Sequence, residues 1–154
     1  MNKPPPPKER DQKDLGGRPS QTFTLILGKW LPVLLWAALL FGLSSVPGEK
    51  IPSFHFALSD KLAHCFVYGV FGALSFRAVR LTTRLGRLPA ILVVALLAAG
   101  YGISDEVHQM FVPERSPEVF DVMADVVGGT LGAIVAGRLP FFLPFFLAFF
   151  RERR

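Results

Sequence analysis

The chain has 154 residues, 51% of them hydrophobic and 19% charged, with fifteen Phe, thirteen Pro and a formal net charge of +5. That size suits one compact unit, and the composition excludes a disordered or collagen-like chain. Cys65 stands alone, which excludes an internal disulfide and any zinc spacing built on paired thiols, while a mean hydropathy of +0.40 is more than a soluble fold of this size readily buries and points to a bilayer protein.

Residues 1–22 hold a four-proline run and mixed charges with few large apolar side chains, so they read as a disordered cytoplasmic tail, not as a secretory leader. Four apolar segments follow, and each is near the roughly twenty residues that cross a hydrocarbon core as a helix. The first covers about 23–46, with Lys29 able to reach the interface and Trp30 beside it as an aromatic anchor, and it stops at Pro47-Gly48. The second covers about 61–81, the third about 88–111 and the fourth about 118–137. Short connections predict helical hairpins 1–2 and 3–4 packed as pairs. Beyond Arg138, LPFFLPFFLAFF carries Pro140 and Pro144 and is too short to span, so 139–154 reads as an interfacial or broken helical tail. The predicted fold is all-α, a four-helix transmembrane bundle over 23–138.

The basic residues alternate in side. Lys3, Lys8, Arg10, Lys13, Arg18 and Lys29, then Arg77, Arg80, Arg84 and Arg87, then Arg138, Arg151, Arg153 and Arg154 all fall on one side, against Lys50, Lys61 and Arg115 on the other. By the positive-inside rule both termini are cytoplasmic, in a multi-pass protein of the cell membrane. The same distribution explains the net charge without nucleic acid as a partner.

The ionisable residues nearest the membrane segments gather at the opposite, outer end. At about 100° per residue, Asp60, His64 and Tyr68 make one stripe at the start of segment two. Gly102, Asp105, Glu106 and Gln109 fit an arc of about 100° at the end of segment three. Glu118, Asp121, Asp125, Gly128, Gly129 and Gly132 do the same in segment four. Gly128 and Gly132 have the spacing that lets helix backbones approach, so this stripe is expected to face the bundle interior. Carboxylates there need partners, and Arg115, Lys61 and His64 are the cations at hand. Glu118 suits the positive end of a helix dipole, whereas Asp125 lies too far in for that role. His55 and His108 read as loop and rim residues, and Tyr101 as a packing aromatic whose hydroxyl wants a partner.

Together DKLAHCFVYGVFG (60–72), GISDEVHQMFVPERSPEVFDVMADVVGGTLGA (102–133) and the four-segment hydropathy resemble the VanZ-like family of small integral membrane proteins, over about residues 30–137. The resemblance rests on Asp60, Lys61 and His64, on Asp105, Glu106 and Gln109, on Arg115 and on Asp121, in that order. Two positions depart from it: the loop reads VPERS where the family often has Gly before the Arg, and Asp125 stands where Asn is common.

Two functions compete. In the first, the outer cluster binds or modifies a cell-envelope component, with His64, Glu106 and Asp121 as catalytic groups and Asp60, Lys61, Asp105, Gln109, Arg115 and Asp125 holding a lipid-linked or small-molecule ligand. In the second, the same residues are a satisfied salt-bridge network in a structural or partner-binding module. The sequence names no cofactor. A hard-cation site from Asp60, His64, Glu106 and Asp121 is the metal alternative, and none is assigned because helix-end carboxylates commonly pair with Arg. A serine triad would have to draft Ser104 or Ser116, for which no spacing argues.

Overall fold

A computed structural model of the chain describes residues 21–50 and 57–138. The expectations for the N-terminal tail, for His55 and for 139–154 fall outside the described residues. Among the described residues four helices follow one another, α1 (Gln21–Ser44), α2 (Ala57–Thr82), α3 (Arg87–Gln109) and α4 (Val119–Arg138), with a 3-10 turn at Gly48–Lys50. Each contains a stretch long and apolar enough to cross a membrane, and the exposed Leu, Phe and Val side chains on all four helices form the surface that acyl chains would cover.

Both expected hairpins pack, α1 on α2 and α3 on α4, but neither is the main seam. The most extensive seam joins α2 to α4, with α3 against the other side of α4, and α1 packed more lightly on the outside. The reason is glycine at both sides of the seam. A side chain at Gly128 would run into the backbone of Cys65, one at Gly132 into the backbone of Gly69, and one at Gly72 into the backbone of Gly129. Such close approach maximises dispersion contact where lipid tails offer no competing hydrophobic drive. Gly129 also faces the Ala98 methyl of α3, so α4 is clasped from two sides by small residues.

Polar side chains fasten the looser α1. Trp36 Nε1 donates to the Val67 carbonyl at 2.9 Å, and the Tyr101 hydroxyl finds its partner in the Ala37 carbonyl at 2.6 Å. Lys29 Nζ, instead of reaching outward to the interface, donates to the Leu81 carbonyl at 3.0 Å, where the last turn of α2 leaves acceptors unpaired. The up-and-down order then brings the end of α1, the start of α2, the end of α3 and the start of α4 to one end of the bundle. There Gly48 N–H donates to the Pro113 carbonyl at 3.1 Å, and Arg115 Nε to the Val46 carbonyl at 3.4 Å. Glu114, immediately before Arg115, has φ 56°, a left-handed conformation that favours glycine.

Candidate functional site

Every residue predicted for the outer cluster lies at this end, and the two predicted arcs are buried except for Glu118, which is exposed, and Gly132, which is half-buried. Gly102, Asp105, Glu106 and Gln109 are buried along α3, and Asp121, Asp125, Gly128 and Gly129 along α4, whereas Ser104 faces outward. The helix periodicity therefore placed these faces correctly.

The cluster divides into two parts. The first is a clamp between α2 and α4. Lys61 Nζ lies 2.8 Å from Glu118 Oε2 and 2.9 Å from Asp121 Oδ1. Glu106 Oε2 accepts the Glu118 backbone N–H at 2.7 Å, which satisfies one of the orphan donors at the start of α4 from a neighbouring helix. Deeper along the seam, His64 Nδ1 lies 2.9 Å from Asp125 Oδ1, in hydrogen-bond contact, and Asp125 is fully buried. Lys61 and His64 are thus the partners that Asp121 and Asp125 required. The room for Asp125 comes from Gly102: a side chain there would press on Asp125 Oδ2 at 2.6 Å.

The second part is a cavity of about 160 Å³ between α1, α2 and α3. Most of its lining surface is apolar, with Leu40, Leu43, Ala63 and Val67 on the wall, and Ser44, Asp60, His64, Tyr68, Asp105, Gln109 and Arg115 add polar groups. Gln109 Nε2 donates to Asp105 Oδ2 at 3.3 Å, and the His64 and Tyr68 rings stack with centroids 6.4 Å apart. Asp105 and Tyr68 are 7% and 1% exposed, and among the described residues Asp105 Oδ1 and the Tyr68 hydroxyl have no hydrogen-bond partner. Buried oxygens left in this way cost about 1–3 kcal/mol each. Arg115 makes no ion pair among the described residues. It joins the cavity wall, and Lys61, not Arg115, is the cation on Asp121.

Asp60, His64 and Asp121 each offer a donor atom within 4.8 Å of the others, a set of the kind a divalent cation accepts. Two of the three already have partners, His64 in Asp125 and Asp121 in Lys61.

Sequence reasoning overlooked several members. Ala63 and Val67 share the Asp60 to Tyr68 face of α2, so their positions carried a usable signal. Leu40 and Leu43 gave none, because an apolar helix in a bilayer is apolar all round. Ser45 Oγ bonds the Phe41 carbonyl at 2.7 Å and lies 3.0 Å from His108 Nε2, whose ring packs on Phe41. This contact ties the end of α1 to the end of α3, and no carboxylate hydrogen-bonds His108 among the described residues.

A family model described as VanZ/LLP1 matches residues 10–143, and the chain belongs to that family. No curated protein and no solved structure matches it. With four helices able to span a bilayer, this is a multi-pass membrane protein.

Proposed function

We propose that this member of the VanZ/LLP1 family holds a small polar head group of a cell-envelope lipid or lipid-linked precursor in the cavity between α1, α2 and α3. Both termini then lie in the cytoplasm, since fourteen of the seventeen basic residues belong, by sequence, to the two terminal stretches, the start of the first apolar segment and the surroundings of the α2–α3 connection. The cavity opens toward the outer leaflet. Asp60, Asp105, Gln109 and Arg115 contact the ligand, and His64, oriented by Asp125, is the one group placed to exchange a proton with it. Glu106, Lys61 and Asp121 act one step back, holding α2 and α4 so that His64 and Asp60 keep their places.

One observation supports this reading above the others: three buried oxygens, Ser44 Oγ, Asp105 Oδ1 and the Tyr68 hydroxyl, are left unpaired among the described residues on side chains that line the same cavity. A network serving architecture alone would be expected to satisfy them. The competing structural reading has its own support in Lys61, Glu118 and Asp121, which are mutually satisfied. It accounts for the ion pairs on Lys61 and leaves unexplained the cavity and the unpaired Glu106 Oε1 and Asp125 Oδ2.

The test is native mass spectrometry of protein purified from its own membrane, comparing wild type with Ala63→Phe. Ala63 is an exposed wall residue, so a benzyl group there narrows the cavity without entering the glycine seam. Retained lipid on wild type and its loss from an Ala63→Phe protein of unchanged melting temperature is the expected result. Equal retention by both proteins overturns the proposal.

A further inference from the structure

We infer that the head group is zwitterionic, a primary ammonium joined to a phosphate, with the ammonium between Asp60 and Asp105 and the phosphate on Arg115. The inference rests on reading the cavity as a head-group site. It comes from sorting the charges. Lys61 is taken by Glu118 and Asp121, His64 by Asp125, and Glu106 by the start of α4. Asp60, Asp105 and Arg115 remain on the cavity wall, and none of them makes an ion pair among the described residues.

Two carboxylates and one guanidinium in so small a space discriminate among ligands. An anionic head group satisfies Arg115 but meets two carboxylates, and a purely cationic one leaves Arg115 facing a positive charge. A zwitterion satisfies both signs. The ammonium is a primary one because Ser44 Oγ, Asp105 Oδ1 and the Tyr68 hydroxyl have no partner among the described residues; an ammonium brings three N–H groups, and a quaternary amine brings none. The guanidinium fork suits phosphate.

Size and surroundings point to a lipid source. A volume of about 160 Å³ has room for a two-carbon amine. Leu43 and Ala63 are exposed on the outside of the bundle as well as lining the cavity. Acyl chains attached to the phosphate would therefore continue onto the lipid-facing surface without crossing polar groups.

The experiment titrates the full-length protein in detergent with phosphatidylethanolamine, phosphatidylglycerol, phosphatidylcholine and soluble phosphoethanolamine, reading occupancy by native mass spectrometry. Phosphatidylethanolamine is expected to bind at least about tenfold more tightly than the other two lipids. Asp60→Asn, Asp105→Asn and Arg115→Gln should each weaken it about tenfold; Asp60 is exposed, so its variant tests the ammonium subsite even if Asp105→Asn fails to fold. Phosphatidylglycerol or phosphatidylcholine binding as well as phosphatidylethanolamine, and being displaced by Ala63→Phe, overturns the zwitterion while leaving a head-group site. Failure of Ala63→Phe to displace any lipid overturns both. Binding of phosphoethanolamine with no binding of its lipid retains the ammonium and phosphate chemistry and overturns the lipid source.

Discussion

The clamp on Lys61 makes unequal demands on its two carboxylates, and replacing them singly measures the difference. Glu118 and Asp121 lie at nearly the same distance from Nζ, 2.8 and 2.9 Å, but their side chains are 52% and 6% exposed, with Lys61 at 29%. The Glu118 arm is solvent-screened and of the surface type, about 0.2–1 kcal/mol. The Asp121 arm is a charge-assisted hydrogen bond on a buried acceptor, about 1.5–3 kcal/mol, and Asn retains a neutral oxygen there. Glu118→Gln is therefore expected to cost at most about 0.5 kcal/mol and Asp121→Asn about 1–2 kcal/mol. The double variant should lose more than the sum, because each carboxylate compensates Lys61 when the other is gone. Thermal unfolding in one detergent at fixed pH and salt gives the ranking. A Glu118→Gln protein as destabilised as Asp121→Asn would refute the reasoning from burial. An Asp121→Asn protein that melts higher would refute the clamp itself and make Asp121 a group held against stability for function.

Three further outcomes follow from the backbone and the charge pattern. Glu114→Gly should stabilise the protein by roughly 0.5–1 kcal/mol, since a left-handed φ of 56° strains a residue with a Cβ by more than glycine's added chain entropy costs; a lower melting temperature would count against strain at this turn. Gly132→Ala should destabilise by about 1–3 kcal/mol, because its methyl meets the Gly69 backbone. Gly100→Ala, with nothing within 4 Å of its Cβ, should be neutral or gain up to about 1 kcal/mol; matching signs at the two sites would contradict the α2 to α4 seam. Reporter fusions at residue 154 should be active only as cytoplasmic reporters, and a reporter active only outside the cytoplasm would invert the topology.

The helices were legible because a bilayer demands long apolar runs, and four of them stood out between polar breaks. The inward faces were legible too: a carboxylate stripe that runs into Gly128, Gly129 and Gly132 has only one environment in which it is stable. Periodicity gives the face of each helix without saying which helix it meets. Gly69 and Gly72 carried no polar neighbour to mark them, so the α2 to α4 seam stayed hidden behind the short connections that suggest hairpins. Which of the available cations meets Asp121 stayed hidden for a related reason. The loop position of Arg115 is set by the left-handed Glu114 and by the Gly48 to Pro113 hydrogen bond, and these direct it toward Val46 and the cavity, leaving Asp121 to Lys61.

The seam and the cavity are coupled through two glycines. Gly128 allows α4 to lie against the Cys65 turn of α2, and His64, the residue before Cys65, thereby reaches Asp125 at 2.9 Å. Gly102 leaves the room on α3 that the Asp125 side chain fills. The same two contacts therefore hold a fully buried carboxylate in place and aim the His64 ring, stacked on Tyr68, at the wall it shares with Asp60 and Asp105. Close packing and polar chemistry are usually opposed at membrane depth, because a buried charge weakens the contacts around it. Here the glycines supply most of the seam and the His64–Asp125 pair sits toward one end of it, so the positions of the imidazole and the carboxylate are set by backbone contact instead of by flexible side chains. A ligand entering between α1 and α2 would meet groups already oriented, and α1, the most lightly packed helix, is the one whose displacement would admit it without disturbing them.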